Sequence, residues 1–142
     1  LFGTSVQAEL EIADHEVQKK DIQDVMDYLK LSEYADKHPF SLSGGQKQRI
    51  QVALGILSNR KVIIFDEPTS GLDLVSMQRV AKEIQELKKK ACVIVISHDY
   101  KFIRHISGRV VYLKDKTVKK EFPLDAEHLS EFNQIFIEMR DE

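Results

Sequence analysis

The chain has 142 residues, which is about the length of one domain and too short for two ordinary hydrophobic cores. Hydrophobic residues make up 42% and charged residues 31% of the chain, a balance typical of globular domains. The 21 basic and 23 acidic side chains leave a net charge of −2, which argues against a strongly basic surface and hence against nucleic acid as a partner.

The apolar runs are a few residues long, whereas a membrane-spanning helix needs about 20. The single cysteine, Cys92, excludes a disulfide framework and zinc sites built from paired cysteines. It favours a reducing compartment such as the cytosol.

The first 40 residues are predicted to be helical. Ser32 is predicted to cap a short helix, and Pro39 to break the chain. This segment holds 4 basic and 9 acidic residues, which indicates either a solvated helix face or an acidic contact surface for a partner. The apolar residues that share one helix face are Val17, Ile22, Val25, Met26 and Leu29.

Helices and short apolar strands alternate along the rest of the chain. We predict a helix from just after residue 45 to about 57, a buried strand over 62–65, a helix over 73–90, a buried strand over 92–96 and a helix over 100–106. Residues 109–113 and 117–122 are predicted to form a hairpin. The alternation predicts an α/β fold with a parallel core.

The end of the chain is predicted to be one amphipathic helix, capped by Asp125. Its apolar stripe is either packed within the molecule or a partner site. The stripe consists of Leu129, Phe132, Ile135, Phe136 and Met139.

A serine and two glycines open the first of the predicted core helices, within Leu42-Ser43-Gly44-Gly45-Gln46. Free backbone N–H groups at a helix start, without a Cβ in the way, suit a phosphate. An ordinary loop with a helix cap is the alternative reading.

Two carboxylates, Asp66 and Glu67, follow the first predicted strand directly. A cation relieves the repulsion between adjacent like charges. Asp66 could therefore hold Mg²⁺ while Glu67 orients an attacking water. Two acids in a solvated loop are the alternative.

Further along, a rigid Pro-and-Gly loop over 68–73 ends at Asp73, which is placed to cap the next helix. His98 lies just past the second predicted strand, where α/β folds gather functional groups, although a lone histidine can also be structural.

These four stretches, in this order and at these spacings, resemble the distal part of an ABC-type ATPase domain. More narrowly, LFGTSV, SGLDLVSM and SHDYKFI resemble the ATPase subunits of energy-coupling-factor importers, which take up vitamins and metal ions. The resemblance implies an α/β fold, a partial P-loop NTPase domain with an incomplete sheet. It divides the chain into a helical subdomain (1–58), the C-terminal part of the ATPase core (59–124) and a C-terminal amphipathic helix (125–142).

The resemblance also implies roles for single residues. Ser43, Gly44 and Gly45 match the signature motif, which closes over the γ-phosphate of ATP held by the opposite subunit. Gln46 matches the last signature position, with a less direct role.

By the same resemblance, Asp66 matches the acid that holds Mg²⁺, and Glu67 matches the general base. Asp73 matches the loop acid that communicates across a dimer, and His98 matches the switch histidine that contacts the γ-phosphate.

A phosphate-binding loop of the form GxxxxGK[ST] is expected in this family, yet no two glycines of this chain are five residues apart. We therefore expect a domain without its N-terminal part, Leu1 falling just after the glutamine loop. Such a chain should bind ATP poorly alone. Its sheet should also have a gap with two unpaired, apolar strand edges. We expect the chain to close this gap by rearranging or by pairing with another copy.

The function implied is that of an ATP-hydrolysing subunit of an ABC transporter that imports a vitamin or metal ion. Its partners would be a second ATPase domain and a transmembrane subunit, which residues 1–40 would approach, at the cytoplasmic face of the membrane. An SMC-like chromosome or repair ATPase and a catalytically silent interaction piece are the alternatives.

Overall fold

The computed structural model describes residues 3–12 and 19–140. It divides into two compact units, one ending at His98 and the other beginning at Asp99. The first unit contains α1 (Val6–Glu11), α2 (Lys19–Tyr28), α3 (Gly44–Leu57), β1 (Val62–Asp66), α4 (Leu74–Leu87) and β2 (Cys92–Ile96). The second unit contains α5 (Tyr100–Ile106), β3 (Arg109–Lys114), β4 (Thr117–Pro123) and α6 (Leu129–Arg140). The three-part division of the chain after residues 58 and 124 stays a prediction.

The helical start of the chain has the predicted amphipathic character. In α2, Ile22 and Met26 are buried, and Leu29 just beyond it is buried as well. They share the core of the first unit with residues of α1 and α3, such as Leu10 and Ile50. Val17, which was predicted to lie on the same face, is outside the described residues.

The prediction that Ser32 caps a short helix is wrong. Ser32 is the first residue of a 3₁₀-helix (Ser32–Tyr34) whose N-cap is Leu31, and its hydroxyl donates to the Asp27 carboxylate. The reason lies in how α2 ends: Lys30 is left-handed (φ 54°), and the N–H of Leu31 donates to the Met26 carbonyl at 2.7 Å. These are features of a Schellman motif, which moves the start of the next helix to Ser32.

The two strands of the first unit are parallel, as predicted, with Val62 opposite Cys92 and Asp66 opposite Ile96. The prediction that both strands are buried is wrong, because one face of this sheet is exposed: Ile64 is 62% and Ile96 is 54% accessible. Neighbouring residues of a strand point to opposite faces. The face with the buried Phe65 packs against α3, where the ring approaches Gly55.

The prediction of an incomplete sheet is confirmed. Within the described ranges, β1 pairs with β2 in one two-stranded sheet, and β3 pairs with β4 in another. The exposed apolar side chains of the first sheet are Val62, Ile64, Ile94 and Ile96. Closure by rearrangement or by a second copy stays a prediction.

The helix boundaries differ from the sequence prediction at two ends. Helix α4 begins after Asp73, as predicted, but it ends at Leu87 rather than Lys90, because residues 88–90 continue as tight turns. Helix α6 begins at Leu129 rather than directly after Asp125. Asp125 instead caps the turn before it, accepting from the backbone N–H groups of Glu127 (3.1 Å) and His128 (3.0 Å).

The second unit is built on the predicted hairpin, which is antiparallel. Its turn contains no glycine, and Asp115 and Lys116 both adopt left-handed angles, φ 52° and 61°, as a type I′ turn requires. The predicted stripe of α6 packs within this unit: Phe132 and Ile135 are buried against Phe122. The far end of the stripe, Met139, is exposed.

Within the described residues, every helix is too short or too polar to cross a bilayer.

The pair of His128 and Asp125 makes the stability of the second unit depend on pH. The carboxylate lies 2.7 Å from His128 Nδ1, and this hydrogen bond raises the pKa of His128 and lowers that of Asp125. Glu131 and Glu127 also favour the charged imidazole, whose ring stacks on Phe122. The aspartate contribution is present above its unfolded pKa, about 4, and the histidine contribution is present below its unfolded pKa, about 6.5.

We therefore expect the urea midpoint of the chain to fall as the pH rises from about 6.5 through the raised pKa of His128. Asp125→Asn should flatten this dependence, because the amide keeps an acceptor for the backbone N–H groups but loses the charge. An equal slope in both proteins would contradict the assignment.

Candidate functional site

The carboxyl ends of β1 and β2 bring together residues that are 30 positions apart in the chain. Asp66 ends β1, and the N–H of Glu67 donates to the carbonyl of Ile96, the last residue of β2, at 2.8 Å. This bond extends the pairing one residue beyond the strands. Glu67 consequently lies beside Ser97 and His98, at the edge of the sheet where open α/β folds place their ligands.

The Glu67 carboxylate accepts hydrogen bonds from the segment after β2. One oxygen lies 2.7 Å from Nδ1 of His98 and 3.2 Å from its backbone N, and the other lies 3.4 Å from the Ser97 hydroxyl. The sequence predicted Glu67 and His98 separately, and the structure joins them. Ser97 was missed, although it directly precedes the histidine in the SHD motif.

The backbone of Glu67 is in the left-handed region, with φ 47°. That conformation costs a non-glycine residue about 1–3 kcal/mol and persists where surrounding contacts hold it. Its carbonyl accepts from the N–H of Ser70 at 3.1 Å and from Nε2 of Gln48 at 2.7 Å. Gln48 was missed by the sequence analysis; its signal was its position two residues past the signature glutamine, Gln46.

Asp66 is an exposed carboxylate at the strand end. Among the described residues, no cluster of three or more histidine, cysteine or acidic side chains could enclose a metal ion. Mg²⁺ in phosphate chemistry is held by one or two carboxylates, with phosphate oxygens and water filling its other positions. One exposed carboxylate, such as that of Asp66, is therefore a donor that fits Mg²⁺ arriving with a phosphate.

The start of α3 is capped from both sides. The Ser43 hydroxyl accepts from the N–H of Gln46 at 3.3 Å, and the Gln46 side chain accepts from the N–H of Ser43 at 2.8 Å, which forms a capping box. The first N–H groups of a helix have no partner inside it, so those of Gly44 and Gly45 point outward with the positive end of the helix dipole. The space beside Gly44 is open, and the anion site predicted at Ser43, Gly44 and Gly45 stays a prediction.

The two predicted glycine loops contact each other. A Cβ added to Gly45 would lie 2.7 Å from the carbonyl oxygen of Gly71, whereas one added to Gly44 would meet nothing within 4 Å. Gly71 has φ 71°, a left-handed angle that favours glycine. The start of α3 thus packs against the loop that follows Glu67.

Asp73 ends that loop as the N-cap of α4. Its carboxylate accepts from the backbone N–H of Ser76 at 2.8 Å and from the Ser76 hydroxyl at 3.2 Å. The backbone hydrogen bond lowers the pKa of Asp73, which is therefore ionised at neutral pH. The predicted capping role is confirmed.

Gly45→Ala should destabilise the first unit, because the new methyl group meets the Gly71 carbonyl and the loop must shift. We expect a loss of about 1–3 kcal/mol in the free energy of unfolding, measured with urea. Gly44→Ala is the matched control, since it makes the same change one residue earlier in open space. Equal effects of the two substitutions would contradict the contact.

Comparisons with known proteins agree with these features. Residues 3–70 match the family model of ABC transporters. The chain is 45% identical over 122 residues, 85% of its length, to a putative ABC transporter ATP-binding protein of Treponema denticola, and it covers 25% of that relative. It is 39% identical over 116 residues, 79% of its length, to the energy-coupling factor transporter ATP-binding protein EcfA2 of Caldanaerobacter subterraneus subsp. tengcongensis, and it covers 39% of that relative.

Among solved structures, the chain is similar to the ATP-binding cassette MJ0796, seen as a dimer in a post-hydrolysis state with ADP and Pi. The TM-score is 0.73 at 26% identity, over 88% of this chain and 58% of that one. The chain thus spans less than two thirds of the length of each of these relatives. Its motifs, its fold and these matches together show that the chain belongs to the ABC-type ATP-binding domains, of which it forms a part.

Proposed function

We propose that the chain is the hydrolytic part of an ATP-binding subunit in an ABC importer, and that the complete protein hydrolyses ATP to drive transport. The observation that carries this proposal is the Glu67 carboxylate, which His98 Nδ1 and the His98 backbone N–H hold at the joined ends of β1 and β2. A carboxylate fixed in this way beside an exposed Asp66 suits proton abstraction from a water that attacks phosphorus.

In this mechanism, Glu67 accepts the proton of the attacking water. Ser97 and His98 keep its carboxylate in place. His98 would also contact the terminal phosphate. Asp66 would be the protein ligand of Mg²⁺, which supplies positive charge to the phosphate oxygens when bound. The N–H groups of Gly44 and Gly45, with Ser43, would donate hydrogen bonds to the γ-phosphate at the positive end of α3.

The nucleotide is proposed to come from a second ATPase domain. Ser43 and Gly44 are exposed, so the signature motif presents its donors outward. The dimeric state of the related cassette with ADP and Pi supports a sandwich in which each domain completes the site of the other. Asp73 is exposed at the end of the loop that contacts Gly45. Through a contact across the dimer, it would couple the state of one ATP site to that of the other.

The membrane partner is proposed to be a separate transmembrane subunit, with this domain at the cytoplasmic face and residues 1–40 close to it. The names of the relatives support transport over an SMC-like repair role. Import of a vitamin or a metal ion is the finer proposal. It rests on the resemblance of three sequence segments to energy-coupling-factor importers, to one of whose ATP-binding proteins, EcfA2, the chain is 39% identical.

Replacing Glu67 tests the function directly. In the complete ATPase, Glu67→Gln should lower kcat by about 100-fold or more, the typical contribution of a general base, and leave MgATP binding unchanged. Glu86→Gln is the control, since this exposed acid pairs with Lys89 on the surface. Full turnover in Glu67→Gln, or none in the unmodified protein, would favour a catalytically silent interaction piece.

The two proposed roles of Asp73, capping α4 and acting across the dimer, can be tested separately. Asp73→Ala should lower the melting temperature because it removes the N-cap of α4, whereas Asp73→Asn should keep the cap. If Asp73 also acts across the dimer as a charge, Asp73→Asn should lower the ATPase rate of the complete protein at unchanged melting temperature. An unchanged rate in Asp73→Asn would leave capping as its whole role and refute the proposed transmission.

A further inference from the structure

Gln48 links the signature helix to the catalytic acid of the same chain. It lies in α3, two residues after Gln46, and its side-chain Nε2 donates to the Glu67 carbonyl at 2.7 Å. The same nitrogen is 3.5 Å from the Asp66 carbonyl. One amide group therefore contacts the backbone of both acids.

The Glu67 peptide needs such a contact. Its backbone is left-handed, and bonds on both sides fix it: the N–H donates to the Ile96 carbonyl, and the carbonyl accepts from Ser70 and from Gln48. The first two bonds come from the sheet edge and the local turn. The Gln48 bond is the one that ties this peptide to α3.

We propose that Gln48 is a positioning residue, whose amide holds the Glu67 backbone so that the carboxylate is aimed at the attacking water. The inference rests on the proposed role of Glu67 as the general base. Gln48 also lies one turn past Ser43 and Gly44. A shift of α3 on phosphate binding at its start would therefore reach the Glu67 backbone through this hydrogen bond, in addition to the contact of Gly45 with Gly71. Phosphate binding at the signature motif and placement of the acid are thereby coupled within one chain.

The donor can be removed without changing size or charge much. Gln48→Met keeps an unbranched side chain of similar length and a similar helix propensity, but it has no N–H to donate. Gln48→Lys restores a donor. Gln51→Met is the matched control, because Gln51 is an exposed glutamine one turn further along the same helix.

In the complete ATPase, we expect Gln48→Met to lower kcat about tenfold with KM for MgATP within about twofold, as for a lost interaction that matters in the transition state. Gln51→Met should match the unmodified protein, and Gln48→Lys should recover most of the rate. Melting temperatures of the two methionine variants should agree. A second readout needs no turnover: in the 142-residue chain, amide hydrogen exchange at Ser70 and Glu67 should be faster in Gln48→Met than in Gln51→Met.

If Glu67→Gln is inactive but Gln48→Met and Gln51→Met have equal kcat values, the inference about Gln48 is overturned and the proposed function stands. A fall in kcat that comes with a lower melting temperature and is not rescued by lysine would also overturn it, because it would show general destabilisation. Full activity of Glu67→Gln would instead refute the proposed function. In that case the exchange rates still decide whether Gln48 holds this backbone.

Discussion

The site depends on the parallel pairing of β1 and β2. Because Asp66 lies opposite Ile96, the next residues of the two strands, Glu67 and Ser97-His98, leave the sheet side by side. A shift of one residue would turn each side chain to the other face and separate the carboxylate from the imidazole. The bond from the Glu67 N–H to the Ile96 carbonyl fixes this register at its last position.

Helix α3 is the second element that shapes the site. Its start is held by the capping box of Ser43 and Gln46, and it contacts the loop after β1 at two points, through Gly45 and through Gln48. The helix start that we propose to bind phosphate and the acid that we propose to act in hydrolysis therefore belong to one packed assembly.

Much of this could be predicted from the sequence. The elements, the cap at Asp73 and the candidate residues Glu67 and His98 follow from turn chemistry, apolar runs and motif order. Their contact could not be predicted, since it depends on strand register. The roles of Gln48 and of the contact between Gly45 and Gly71 depend on how closely a helix and a loop pack, which no local pattern records.

The errors have physical causes as well. A short apolar run does not distinguish a strand covered on both faces from one covered on a single face, so Ile64 and Ile96 were predicted to be buried. Ser32 was predicted as a cap because its residue type suits one, but after the left-handed Lys30 the 3₁₀-helix already begins at Ser32, with Leu31 as its N-cap. Tertiary context decided the first, and the local backbone geometry at the end of α2 decided the second.

The central claim is that these residues supply the hydrolytic acid and the phosphate-sensing helix start, while the groups that grip the nucleotide come from elsewhere. Calorimetric titration of MgATP into the 142-residue chain tests it most directly. The account predicts no saturable binding in the micromolar range, because Asp66, Glu67 and His98 can place a phosphate but present no loop to cradle it. A micromolar Kd for the chain alone would contradict the account.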